Sequence, residues 1–211
     1  MNGFGFTEAI TYSFASEMSA DRLRLKDNDA RRAFIHILNP LTEDQTVMRT
    51  SLVPGLIEAA TYNIARQVKN LKLFEVGKTF IKSERQDLPI ESEILTALWT
   101  GTRSDASWHS REIPCDFYDM KGVVDGLVHG LKIDKIRFTQ MPEDSCDYTR
   151  PGYTARILAE GLQVGLVGEL RSRVRSNFDL KQTTFIFELE LDKILSLIPP
   201  ATDSRPIPRF P

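Results

Sequence analysis

The sequence predicts an α+β fold in which a mainly antiparallel sheet is flanked by helices. Segments with the two-residue alternation of a strand follow one another in runs, instead of alternating with helices one for one. Two longer segments place apolar residues at the three- and four-residue spacing of an amphipathic helix. With 211 residues, of which 41% are hydrophobic and 27% charged, the chain is long enough to bury a sizeable core.

The N-terminal part predicts two strands with a helix between them. The residues AITYSF at 9–14 alternate as in a strand, and Ser16 then occupies the N-cap position of a helix over 17–25. After a polar loop, FIHILNP at 34–40 predicts a second strand, which its Asn-Pro pair ends.

The segment 51–68 predicts the clearest helix of the first half. Its apolar residues form one face, and Pro54 fits its first turn, where a backbone N–H has no helical partner. Alanines on the side of the helix next to that face have small side chains, so a second helix could approach closely there. Two interpretations remain open: an ordinary core helix, or a helix–helix subunit interface.

The middle of the chain predicts two long strands, a capped helix and a shorter strand. LKLFEVGKTFI at 71–81 and SEILTALWTG at 92–101 carry the strand pattern on either side of a polar loop. Asp116 stands at the N-cap of the next helix, and Asp119 at the third helical position completes a capping box. KIRFTQ at 135–140 then predicts a further strand.

The C-terminal part predicts a hairpin followed by a last strand and a short helix. Two alternating runs, 153–160 and 162–170, meet at Glu160-Gly161, a turn sequence typical of a hairpin. The glycines there follow a G-x-x-x-G-x-x-G spacing without opening a helix, which indicates close strand packing and not a phosphate loop. The last strand runs over 183–191, and Asp192 is expected to cap the helix after it.

The composition excludes a basic field over the whole chain. The formal net charge is −2, so any RNA contact must be local or supplied by a partner. The chain has two cysteines without metal-ligand spacing, and no apolar run reaches the length that spans a membrane. We therefore expect a cytoplasmic protein with no membrane contact.

The chain is expected to divide into a core domain over 1–198 and a Pro-rich linker over 199–211. Five prolines in those last thirteen residues predict an extended connector that cannot build a core. We expect this connector to lead toward a further domain of a longer chain.

No residue is predicted to be catalytic or to bind a metal. The three histidines have no Cys, Asp or Glu at metal-ligand spacing, and there is no G-x-S-x-G nucleophile motif. The one compact basic cluster is Arg171, Arg173 and Arg175, without interleaved aromatic residues. We interpret it first as a solvated face, with a phosphate contact to RNA as the alternative.

Six stretches of the chain, taken in order, carry the motifs of one family. They are GFTEAITYSF, NPLTEDQTVMRTSLVPGL, LKLFEVGKTF, DFYDMKGVVDGL, PGYTARIL and VGLVGELRSRVRSNFDL. Together they resemble the core domain of the beta subunit of bacterial-type phenylalanyl-tRNA synthetases, from about Gly3 to Ile198. The resemblance implies a class II aminoacyl-tRNA synthetase-like fold, and it makes the Pro-rich tail the entry to an anticodon-binding domain.

The same resemblance implies that this copy has lost the nucleotide-binding residues of the catalytic alpha subunit. The third class II motif, G-x-G-x-x-R, would place its glycines at Glu188 and Glu190 and its arginine at Lys193. Two carboxylates on one strand face would repel a triphosphate, and a lysine lacks the planar fork of an arginine. The phosphate-binding arginine of the second motif falls near Ile81.

The resemblance therefore implies a non-catalytic domain that binds and braces the alpha subunit in a heterotetramer for the aminoacylation of tRNA(Phe). ATP, Mg²⁺ and phenylalanine would bind in the alpha subunit, and no cofactor is expected here. The helix at 51–68 falls in the motif 1 region, so we expect Leu52, Leu56 and Ile57 at the subunit interface. An exposed apolar helix face would also let the isolated chain self-associate. Two rivals stay open: an active ATP-binding synthetase-like domain, and a synthetase-derived regulatory module.

Overall fold

The computed structural model describes residues 1–85, 88–143 and 145–200. The α-helices are α1 (Met18–Arg22), α2 (Val53–Ile64), α3 (Phe117–Gly130), α4 (Ser172–Asn177) and α5 (Leu191–Leu197). The strands are β1 (Thr7–Glu8), β2 (Phe14–Ala15), β3 (Val47–Met48), β4 (Leu71–Ile81), β5 (Ile90–Thr100), β6 (Thr102–Ser104), β7 (Ile113–Pro114), β8 (Ile136–Gln140), β9 (Thr149–Ala159), β10 (Leu162–Leu170) and β11 (Thr184–Glu190). Two short 3₁₀ helices cover Asn2–Phe4 and Ala30–Arg32. The predicted linker lies outside the described residues from 201 onward.

The main sheet has seven strands in the order β1-β4-β5-β11-β10-β9-β8. Its neighbouring strands are antiparallel, apart from the parallel pair of β1 with β4. The pairs β2–β3 and β6–β7 form separate two-stranded sheets. The predicted α+β architecture with a mainly antiparallel sheet is therefore confirmed.

The sheet separates two apolar cores. On one face, α3 and α5 contribute Met120 and Ile194 to a core that also contains Phe187 of β11. On the opposite face, α1, α2 and α4 pack around residues such as Leu98 and Ile186. Because successive strand residues point to opposite faces, β11 supplies side chains to both cores in alternation.

The hairpin between β9 and β10 turns at the predicted residues. Glu160 and Gly161 both have positive φ, 49° and 86°, as a two-residue type I′ turn requires. A Cβ on Gly165 would stand 2.0 Å from the backbone oxygen of Glu188 on the next strand. A Cβ on Gly168 would stand 3.0 Å from atoms of β9. The prediction of close strand packing is therefore confirmed at these two glycines.

The capping box predicted for α3 is present. The Asp119 backbone N–H donates to the Asp116 carboxylate at 2.9 Å, and the Asp116 N–H donates to the Asp119 carboxylate at 2.9 Å. At the last helix the prediction is wrong by two residues: α5 begins at Leu191, and its N-cap is Glu190 and not Asp192. Asp192 lies in the first turn, where a carboxylate still suits the helix dipole.

The structure also corrects the two predicted N-terminal strands. The segment 9–14 contributes Phe14 alone to a strand, and 34–40 contributes a single bridge between His36 and Val47. Alternation predicts a strand only where a partner backbone is available, and β2 and β3 pair over just two residues each. The first segment instead passes beside α2, where Gly55 approaches Thr11 closely.

Candidate functional site

A line of mainly polar residues crosses the middle of the sheet, on the face that carries the α1, α2 and α4 core. Glu75 pairs with Thr96, and Thr96 pairs in turn with Glu188. The line continues through Leu166 to Arg156. Residues paired across strands point their side chains to the same face, so these five residues form one row, which we call the polar row. Its centre, Glu188, is one of the positions where the resemblance expects a nucleotide-binding glycine.

Glu188 is half-buried, and other side chains of this chain bind its carboxylate. The hydroxyl of the buried Tyr148 donates a hydrogen bond to its carboxylate, and the Ser51 side chain hydrogen-bonds to it as well. Burial raises the pKa of Glu188, and the Arg31 charge and these hydrogen bonds oppose that rise only in part. Burial also raises the pKa of Tyr148. The Glu188 carboxylate is thus bound by side chains of this chain, although the residue is not fully buried.

Arg31, the cation near Glu188, is committed to a different carboxylate. Its guanidinium donates to both oxygens of Asp29, at 2.9 and 2.7 Å, and lies 5.0 Å from the centroid of the Tyr148 ring. Burial by itself would raise the pKa of Asp29, but the hydrogen bonds from Arg31 outweigh it and lower the pKa. The planar fork of Arg31 therefore already binds an anion supplied by this chain.

A buried ion pair lies at the β4 end of the polar row. Arg49 Nη1 lies 2.6 Å from Glu75 Oε1, and the two residues are only 8% and 2% exposed. Arg49 also donates to the Lys78 carbonyl at 2.9 Å and to the Thr11 hydroxyl at 3.1 Å. Gly77 makes room for it, because a Cβ there would stand 2.3 Å from Arg49 Nη2. Sequence reasoning missed this pair, although a glutamate inside an apolar strand was a signal for it.

Two of the arginines near Glu75 and Glu188 are paired with carboxylates of this chain. Arg156, at the far end of the polar row, makes no ion pair within the described residues, and its Nε is buried there without a hydrogen-bond partner. Glu75, Glu188 and Asp29 supply three carboxylates, while Arg49 and Arg31 each pair with one of them. A phosphate site needs unpaired cations or backbone N–H groups directed at the anion. Arg49 and Arg31 are therefore already engaged by carboxylates of this chain.

Lys193 and Ile81, the other two positions where the resemblance expects nucleotide-binding residues, also contact residues of this chain. Lys193 pairs with Glu190 at 2.7 Å and donates to the Gln163 carbonyl at 3.2 Å. Ile81 ends β4, where it pairs with Ile90. An aliphatic side chain therefore stands where the resemblance expects a phosphate-binding arginine.

The structure corrects the residues predicted for the subunit interface. Leu52, Leu56 and Ile57 are 1%, 0% and 0% exposed, and they pack within this chain. Leu56 and Ile57 belong to the core between α2 and the sheet. The apolar stripe of the helix faces inward, so these three side chains cannot contact a partner without unfolding the domain.

A cleft on the outer side of α2 is bordered by exposed apolar residues. It has a volume of about 880 Å³, and its wall includes Tyr12, Phe14, Met18 and Tyr62. These four side chains are between 41% and 77% exposed. Three further apolar residues, which do not line the cleft, are strongly exposed: Ile10 at 91%, Leu38 at 97% and Leu41 at 87%. We call the cleft and its four named wall residues the docking cleft.

The three arginines of the basic cluster line one pocket of about 480 Å³. Arg171 donates to the carbonyls of Thr149 at 2.6 Å and Cys146 at 3.0 Å, and Arg175 donates to the Lys181 carbonyl at 3.0 Å. Arg173 is exposed. The cluster is thus only partly the solvated face that the sequence suggested, because two of its members are fixed by backbone hydrogen bonds.

Neither cysteine has the environment of a reactive thiol. Burial raises the pKa of Cys115 to about 12 and also raises the pKa of Cys146. Among the described residues, no group of three or more His, Cys, Asp or Glu side chains is arranged to hold a metal ion. In that same part of the chain, no helix combines the length and the apolar character needed to cross a membrane.

The fold is similar to that of a solved class II aminoacyl-tRNA synthetase. A crystal structure of pyrrolysyl-tRNA synthetase from Desulfitobacterium hafniense superposes with a TM-score of 0.65, over 92% of this chain and 63% of that chain. Its sequence identity is 11%, so the similarity concerns the fold alone. It confirms the predicted class II synthetase-like architecture.

Sequence comparison identifies much closer relatives. The phenylalanine–tRNA ligase beta subunit of Geobacter sulfurreducens is 36% identical over 211 residues, all of this chain and 26% of that protein. The corresponding subunit of Staphylococcus aureus is 38% identical, again over the whole chain and 25% of its own length. The chain thus spans about a quarter of the curated relatives it matches. A family model described as the phenylalanyl tRNA synthetase beta chain CLM domain matches residues 1–191. The chain belongs to this family.

Proposed function

We propose that this domain is the non-catalytic core of a phenylalanine–tRNA ligase beta subunit, and that it binds and braces the catalytic alpha subunit in a heterotetramer. The contacts of Glu188 and Glu75 carry the proposal: Tyr148 and Ser51 bond to Glu188, and Arg49 is held by Glu75. ATP, Mg²⁺ and phenylalanine would bind in the alpha subunit, which aminoacylates tRNA(Phe). This domain would hold no cofactor and work in the cytoplasm, as two unpaired buried thiols suit a reducing compartment.

The docking cleft is the surface we propose for the alpha subunit. Its exposed aromatic and methionine side chains are the residue types enriched in the centres of protein interfaces. The small residues Gly55 and Ala59 of α2 also line it, so a partner helix could approach the α2 backbone closely. Without a partner, these apolar side chains would stay in water, and the isolated chain would tend to self-associate through them.

A single charge in the docking cleft should weaken assembly. We expect Tyr12→Asp to lower the affinity for the alpha subunit by at least about tenfold, because an unpaired carboxylate would be buried at the interface. The measurement is a sedimentation or calorimetric titration of the full-length subunit with its partner. Tyr118→Asp on α3 is the matched control, since Tyr118 is 75% exposed, Tyr12 is 77% exposed and only Tyr12 lines the cleft.

Equal affinity for the two variants would rule out this interface. Leu56→Asp is unsuitable for the test, because Leu56 is fully buried and its replacement would unfold the domain whatever the interface is. The same titration separates the rival of a free-standing regulatory module, which would not bind the alpha subunit at all. The other rival, an active ATP-binding domain, is tested by nucleotide binding to the chain alone.

A further inference from the structure

A second concave surface, beside the α1–α4 contact, is rich in arginine. It is the pocket of about 480 Å³ described above. Its lining residues, which we call the basic pocket, are Arg24, Arg150, Pro151, Glu169, Arg171, Ser172, Arg173 and Arg175. Five guanidinium groups therefore face one carboxylate, although the whole chain has a net charge of −2.

The single carboxylate neutralises only one of the arginines. Arg150 pairs with Glu169 at 2.9 Å and lies over the Tyr153 ring, 3.8 Å from its centroid. Arg171 and Arg175 donate to backbone carbonyls, which fixes their position but leaves their charge. The Nε of Arg175 is buried and finds no hydrogen-bond partner within the described part of the chain. Like charges gathered in a cleft create a field that attracts anions.

Two of the arginines have no structural task in the fold. Arg24 and Arg173 are exposed, and in the described ranges neither makes an ion pair or a side-chain hydrogen bond. Arg24 follows α1 and Arg173 lies in α4, so elements far apart in sequence bring them to the same pocket. Loop fixation explains Arg171 and Arg175, but it does not explain why unpaired arginines are added beside them.

We infer that the basic pocket binds phosphate groups of an RNA backbone, and this inference rests on the proposed role in tRNA(Phe) aminoacylation. Guanidinium groups bind phosphate oxygens in a bidentate geometry, and several around one concave surface match successive phosphates of a strand. The pocket shares no lining residue with the docking cleft. RNA and the partner subunit would therefore occupy different surfaces of this domain.

The test neutralises the two arginines that have no structural role. In the holoenzyme built from the full-length subunit and its partner, Arg24→Gln with Arg173→Gln forms the pocket variant. Arg111→Gln with Arg137→Gln is the control, because both are exposed, lie outside the pocket and change the net charge equally. Affinity for a tRNA(Phe) transcript is measured between about 50 and 200 mM KCl. Sedimentation of the same samples reports assembly.

The pocket variant should bind the transcript about tenfold more weakly at low salt, with the slope of log affinity against log salt reduced by about 1.5. The control should keep the affinity and slope of the unmodified enzyme. Unchanged affinity in the pocket variant, or equal losses in both variants, overturns the inference. Inorganic phosphate is titrated in parallel: binding of phosphate through the pocket with unchanged tRNA affinity would also overturn it. Sedimentation tests the proposed function separately: if the unmodified subunit does not assemble with its partner, the proposed function is refuted. The RNA affinities test only the basic pocket.

Discussion

At the level of single residues, the polar row is stabilised by partners that sequence reasoning could not supply. Sequence alone could assign Glu188, Glu190 and Lys193 to the motif, because a motif comparison needs only their order along the end of β11 and the start of α5. The Tyr148 hydroxyl that binds Glu188 lies 40 residues away in sequence, and Arg49 lies 26 residues from Glu75. Such contacts depend on the tertiary fold, and no local pattern of residues encodes them.

Glu188 should make the stability of the domain depend on pH. Because its pKa is raised on folding, its contribution is fully present below the ordinary glutamate pKa and is lost as the pH rises through the folded value. We expect Glu188→Gln to be at least as stable as the unmodified chain at pH 8, with a smaller loss of Tm between pH 5 and pH 8. Thermal unfolding followed by circular dichroism at a series of pH values measures this.

Glu190→Gln on the same strand is the control for that experiment. Glu190 pairs with Lys193 at the end of the strand, so its replacement controls for the removal of one carboxylate from β11. If Glu188→Gln instead lowers the Tm at pH 8 by more than Glu190→Gln does, the carboxylate at 188 is a stabilising ion and the description of the polar row is wrong.

At the level of elements, the sequence predicts best those that form through local patterns. The alternation of β4 and β5, the Glu160-Gly161 turn and the Asp116–Asp119 capping box are each visible within a few residues. The parallel strand β1 was missed because it depends on pairing Thr7 with Leu73. The basic stretch that forms α4 was also missed, since Val174 is the only residue that the helix buries.

Two glycine substitutions should act in opposite directions. In Gly165→Ala the new Cβ would stand 2.0 Å from a backbone oxygen of β11, so the strands must separate; we expect a loss of at least about 2 kcal/mol in the free energy of unfolding. Gly122 lies at an exposed position of α3, and a Cβ there would meet no atom within 4 Å. In Gly122→Ala the higher helix propensity of alanine should add about 0.5–1 kcal/mol to the free energy of unfolding. Urea unfolding of both variants provides the measurement. Equal effects would show that β10 and β11 are not packed as described.

At the level of the whole molecule, the domain presents two separate surfaces around a closed centre. The docking cleft lies outside α2, the basic pocket lies beside the α1–α4 contact, and the polar row between the helices and the sheet is occupied by the chain's own side chains. This division of surfaces would suit the proposed role within an assembly, for a chain that spans about a quarter of its relatives' length.

The central claim, that the former nucleotide site is filled by the protein itself, is tested most directly by calorimetric titration of this chain with ATP and Mg²⁺. The chain is used without any alpha subunit, after circular dichroism has confirmed that it is folded. We predict no saturable heat up to about 1 mM nucleotide, because Arg49 and Arg31, the arginines beside Glu75 and Glu188, already bind carboxylates of this chain. Saturable binding with a Kd of about 10 µM or tighter, abolished by a bulky substitution at Ser51, would contradict the account.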